Sequence, residues 1–161
     1  MASSSTSSYK RKTVQLIKCF CGCSDMTVEE VQRIYTLTNS VQQTLLDGAA
    51  TRLLHRYLEL QRSGDKSEVE QFLDIYEKCD EFLQEEQRTF TQDEIDELCD
   101  LGLPYHLEQD LARRARNGQA IEIKSGLCRV QGECRNEIEA SSDFKDFRNA
   151  ILAKMRRIPH K

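Results

Sequence analysis

Tryptophan is absent from this 161-residue sequence, proline occurs only twice and glycine seven times. Such a composition excludes collagen-like repetition and Pro/Gly-rich low complexity. No apolar run approaches the ~18–20 residues that cross a bilayer, and residues 1–12 hold no apolar segment of signal-peptide length. There is no N-x-S/T sequon. Seven cysteines are an odd number in a chain without an export signal, which favours thiols over a disulfide framework. These absences lead us to expect an intracellular, cytoplasmic protein.

The common chemical signatures are missing as well. The sequence has no G-x-G-x-x-G, no G-x-x-x-x-G-K-[ST], no H-E-x-x-H and no G-x-S-x-G, which removes the usual phosphate cradles, zincins and hydrolase elbows. His55, His106 and His160 stand apart from one another and in no paired motif. The expectation is therefore a chain with no catalytic residue, no cofactor and no dedicated metal set.

What the sequence does contain is charge and helical periodicity. Charged residues make up 31% and hydrophobic ones 39%, enough apolar content for one domain-sized core. The net charge of −4 is unevenly placed: residues 1–64 carry +3, residues 65–110 carry −13 and residues 111–161 carry +6. Segregation of this kind suits contact with charged partners or pairing within the fold.

Thr27-Val28-Glu29-Glu30 has the form of a capping box. Val31, Ile34, Thr38, Val41 and Leu45 then recur at three and four, predicting one helix to about Leu46. Leu53, Leu54, Tyr57 and Leu58 continue a helical face as far as Ser63-Gly64. Past a cap at Asp65 to Glu68, Val69, Phe72, Tyr76, Cys79 and Leu83 mark the next helix. Thr91 to Glu94 opens another through Ile95 and Leu98, and a further one runs from Pro104 or Tyr105 to Asn117-Gly118. Ile121, Ile123, Cys128 and Val130 alternate with polar residues around Ser125-Gly126, predicting a small β-hairpin near 120–131. Phe144, Phe147, Ile151, Leu152 and Met155 mark a last helix. The predicted fold is all-α for the most part: a compact bundle of five or six helices over residues 25–161, preceded by a flexible Ser-rich tail over residues 1–24.

Within that tail Cys19, Cys21 and Cys23 alternate, so an extended chain would place their sulfurs on one side. Lys10, Arg11, Lys12 and Lys18 accompany them. Basic charge beside thiols is the context of S-acylation at a membrane surface. Zinc is the competing ligand, but C-x-C-x-C is not the C-x₂₋₄-C knuckle that lets two sulfurs reach one ion. Two further basic clusters, Arg113, Arg114 and Arg116, and Arg156 and Arg157, could meet phosphates or acidic headgroups. They also fall near predicted helix C-termini, where positive charge favours the macrodipole. The functional expectation is a non-enzymatic helical adaptor or regulator with a protein partner, attached to a cytoplasmic membrane face through the cysteine cluster. The alternative is a zinc- or RNA-binding regulator using the same thiols and the C-terminal basic patches.

Overall fold

The computed structural model describes residues 16–20, 25–85 and 89–157. Eight helices and one two-stranded hairpin make up these residues: β1 (Leu16–Lys18), β2 (Asp25–Thr27), α1 (Val28–Leu37), α2 (Val41–Leu46), α3 (Gly48–Gln61), α4 (Glu68–Gln84), α5 (Gln92–Asp100), α6 (Tyr105–Asn117), α7 (Ala120–Ala140) and α8 (Ser142–Arg156). The chain divides into two compact units, residues 1–57 with 148–161, and residues 58–147. The boundaries fall within α3 and α8.

In the first unit β1 and β2 pair antiparallel, with Leu16 opposite Thr27, Ile17 opposite Met26 and Lys18 opposite Asp25. Residues 16–18, assigned to a tail from composition, thus belong to a hairpin that leads directly into α1. The Thr27 hydroxyl accepts the Glu30 amide at 3.1 Å, and Val31 and Ile34 turn inward behind it. The predicted stripe to Leu45 is buried throughout, but on two helices. Thr38 and Ser40 interrupt it because their side chains compete for backbone groups. The Thr38 hydroxyl donates to the Tyr35 carbonyl, and Ser40 accepts the Gln43 amide to start α2. Asp47 then accepts the Ala50 amide at 2.8 Å and opens α3.

In the second unit α4 packs along α7, α7 against α6, and α6 against α5. Ser67 and Glu70 close a reciprocal capping box on α4, and Thr91 and Glu94 close one on α5. The buried stripe of α4 is Val69, Leu73, Ile75, Tyr76, Cys79 and Phe82, rotated slightly from the predicted one, so that Phe72 and Leu83 lie at its margin. Across from it α7 buries Leu127, Val130, Cys134 and Ile138. Gln131 Nε2 donates to the Tyr76 carbonyl at 3.1 Å, a buried polar tie between these two helices.

The hairpin expected near 120–131 is not there, and the helix count is eight rather than five or six. Residues 120–140 form one helix because Leu127, Val130, Cys134 and Ile138 follow the 3.6-residue period over about three turns. The alternating Ile121 is 72% exposed and contributes nothing to the core. Gly126, which resembles a turn residue in the sequence, is a point of close approach instead. A Cβ there would stand 2.7 Å from Arg114 Cδ and 2.9 Å from Leu111 Cδ2. In an open helix face Gly126→Ala would add ~1 kcal/mol of helix propensity. At this crossing we expect the opposite, a net loss of ~1–2 kcal/mol as two packed side chains are displaced. The urea midpoint measures this; a rise on substitution would contradict the packing described.

Candidate functional site

The second unit carries a basic recess between α6 and α7, built outward from one buried carboxylate. Pro104 stands at the N-cap of α6, and Gly118, in the left-handed conformation at φ 70°, ends it. Between them the helix turns Leu107 and Leu111 into the core, and Asp110, on the same face, goes in with them. Its side chain is only 5% exposed. A carboxylate in that position requires partners, and three guanidiniums supply them. Arg113 Nη2 donates to Oδ1 at 2.6 Å and Arg114 Nε to Oδ2 at 2.8 Å. Arg129 Nη1, from α7, stands 3.2 Å from Oδ1.

The three arginines have different roles. Arg114 is mostly buried, and its Nη1 also donates to the Glu122 carbonyl at 3.3 Å and to Glu122 Oε2 at 3.2 Å. It thereby ties Asp110 to the first turn of α7, with its stem lying over Gly126. Arg113 and Arg129 are about half exposed and line a recess of about 520 Å³ together with His106, Gln109, Ala112 and Arg116. Arg116 is exposed and, among the described residues, has no ion pair. Three guanidiniums against one carboxylate leave the lining at +2 with His106 neutral. Outside the lining, His106 Nε2 lies 2.9 Å from Glu133 Oε2, and Arg129 Nη2 lies 4.0 Å from Glu133 Oε1. His106 also borders a second recess of about 240 Å³, walled by Phe72, Pro104, Leu107, Asn136 and Glu137.

The sequence-predicted residues are thus distributed unevenly. Arg113 and Arg116 line the recess, and Arg114 supports it. Arg156 and Arg157 are exposed at the end of α8, in the other unit. Asp110, Arg129, His106 and Gln109 were not among the expected site residues. Asp110 followed by arginines at i+3 and i+4 is a readable helical ion-pair spacing, whereas Arg129 joins only once α7 is a helix.

At the other candidate site Cys19 is buried directly after β1. A recess of about 280 Å³ bounded by Asp25, Met26, Glu30, Arg52 and Arg56 reaches it. Lys154 Nζ donates to the Lys18 carbonyl at 2.7 Å and stands over the Phe20 ring. Lys18 itself pairs with Asp25 at 2.8 Å. Cys21, Cys23, Lys10, Arg11 and Lys12 lie outside the described residues. Among the described residues no group of His, Cys, Asp and Glu is placed to hold a metal ion, and no helix is long and apolar enough to cross a membrane. Cys79 and Cys134 are core thiols whose pKa burial pushes up, to about 12 for Cys134. Compared with protein-family models, curated proteins and solved structures, the chain matches none.

Burial alone would raise the pKa of Asp110, but the hydrogen bonds from Arg113 and Arg114 outweigh it and hold the carboxyl below its ordinary range. A carboxyl depressed in the folded chain contributes stability that is complete above the unfolded value and lost as pH falls through the folded one. We therefore expect Asp110→Asn to cost about 1–3 kcal/mol near neutrality and to flatten the loss of stability on acidification. Urea midpoints of both proteins from about pH 7 to about pH 3 measure this. Parallel pH curves would remove Asp110 from the account.

Proposed function

We propose that the chain is a non-enzymatic helical adaptor or regulatory protein, and that an acidic segment of a protein partner docks on the recess between α6 and α7. The observation that supports this reading is the array of Arg113, Arg116 and Arg129 around a concave surface. Two of the three are held in place by Asp110 before any ligand arrives. Side chains already ordered lose less entropy on binding, which is the main advantage of a preorganised surface. Bidentate guanidinium contacts also recognise carboxylates by geometry as well as charge. The adjoining recess with Phe72, Pro104 and Leu107 offers a neighbouring apolar side chain a place to bury.

A hexaglutamate peptide is a sufficient first probe. Titrated into the whole chain and followed by amide and arginine Nε–Hε resonances, it should shift signals of α6 and α7 around Arg113, Arg116 and Arg129. Arg116→Glu and Arg129→Glu should each weaken binding by about tenfold, the loss of one charge-assisted pair of ~1.4 kcal/mol. Shifts centred elsewhere, or variants that bind equally well, would overturn the assignment.

Attachment to a membrane face by acylation belongs to the same reading and is supported by sequence: Cys21 and Cys23 with Lys10, Arg11 and Lys12 upstream. Burial of Cys19 favours Cys21 and Cys23 as the acceptors in this reading. Hydroxylamine-sensitive labelling should therefore survive Cys19→Ser and disappear when Cys21 and Cys23 are both replaced by Ser. An unlabelled wild-type chain in its native cell would end the membrane proposal.

A further inference from the structure

We infer that the group received by the Arg113–Arg116–Arg129 recess is a phosphate monoester carried on a side chain of the partner protein. This inference rests on the docking surface proposed above and specifies its ligand. Charge is the first reason. The lining holds +2 with His106 neutral, which a single carboxylate half neutralises and a phosphate monoester, at about −1.5 to −2 near neutrality, matches.

Donor geometry is the second reason. Arg113 uses Nη2 on Asp110, Arg129 uses Nη1 on Asp110 with Nη2 near Glu133, and Arg116 is unpaired among the described residues. A guanidinium has five N–H donors, so each of the three retains donors for a ligand. Arginines that converge from two helices suit the three terminal oxygens of a tetrahedral anion better than the two of a planar carboxylate.

Size is the third. A phosphate group fills roughly 60–90 Å³, two to three water volumes, whereas the recess holds about 520 Å³. The remaining space takes the side chain that bears the phosphate. The second recess, sharing His106, lies open to an adjacent apolar residue of the same peptide. An anionic bilayer is the less suitable source of the same chemistry. Glu122 pairs with Arg114 beside the recess, and Glu133 and Glu137 line the adjoining one. These carboxylates would face the many charges of a lipid surface, while one inserted phosphoryl group meets three arginines against the single carboxylate of Asp110.

The test compares phenyl phosphate with phenyl sulfate, which have nearly the same shape but differ in charge, on the full chain at one pH and salt concentration. Hexaglutamate and a short phosphoserine peptide with a C-terminal Leu are titrated in parallel. Vesicles of phosphatidylcholine and phosphatidylserine in equal parts form the last arm. We expect phenyl phosphate to shift the Arg113, Arg116 and Arg129 side-chain signals and to bind at least about fivefold tighter than phenyl sulfate. The phosphopeptide should bind tighter still. Arg116→Gln, at an exposed position with no ion pair among the described residues, should abolish most of that preference without altering the urea midpoint. Equal affinity for phosphate and sulfate would overturn the inference, as would vesicle binding lost in Arg116→Gln without phosphopeptide binding. If hexaglutamate binds at the recess and phenyl phosphate does not, the docking surface stands and its phosphoryl specificity fails. If neither binds, both fail.

Discussion

The carboxylate of Asp110 is the constraint on which the second unit's basic face depends. An ionised group with 5% exposure is tolerated only where opposite charge and hydrogen bonds replace the lost water. Asp110 obtains both from Arg113 and Arg114 on its own helix and from Arg129 on the next. The pairing works in both directions: the aspartate is held ionised, and three long, flexible side chains are drawn toward one point. Gly126 makes the arrangement possible, since any Cβ there would occupy the space of the Arg114 stem and the Leu111 methyl. The close crossing of α6 and α7 and the charge pattern of the recess are therefore one feature.

Much of the helical scaffold was legible in the sequence because it is written locally. The caps at Thr27 and Thr91 appear where the spacing of hydroxyl and Glu places them, while the one expected from Asp65 to Glu68 falls two residues later, on Ser67 with Glu70. The stripe Val31, Ile34, Thr38, Val41, Leu45 is buried as its period requires. What was not legible arose where two local signals disagree. Around residues 120–131 an alternating Ile pair and a Gly suggest a strand and turn, while the apolar residues from Leu127 to Ile138 carry the helical period. The longer signal prevails because it buries four side chains against α4 and α6, and the exposed Ile121 buries none.

The same limit governed the site. Carboxylates between residues 65 and 110 look like solvated surface when counted as a block of −13. Among the described residues three of them are buried: Glu70 and Glu94 close capping boxes, and Asp110 gathers arginines. Each is identifiable from residues three or four positions away, so the information was present but obscured by the block's net charge. Arg129 is different. Arg129 reaches the recess only through the register of α7 against α6, a tertiary relation that no local spacing encodes, whereas His106 shares the α6 face of Asp110 and Arg113 at helical spacing. Net charge sets which partners approach, and the placement of a few fixed groups decides what is held.

The central claim, that Asp110 prepares the arginines for an anion, has a consequence opposite in sign to simple charge counting. Asp110→Asn raises the recess from +2 to +3, so attraction by net charge alone would tighten phenyl phosphate binding. Preorganisation predicts weaker binding, because Arg113 and Arg129 lose the group that holds them. Affinity of phenyl phosphate for the folded Asp110→Asn protein, measured beside the wild type, decides between them. The account predicts a loss of about threefold or more, and a gain in affinity would contradict it.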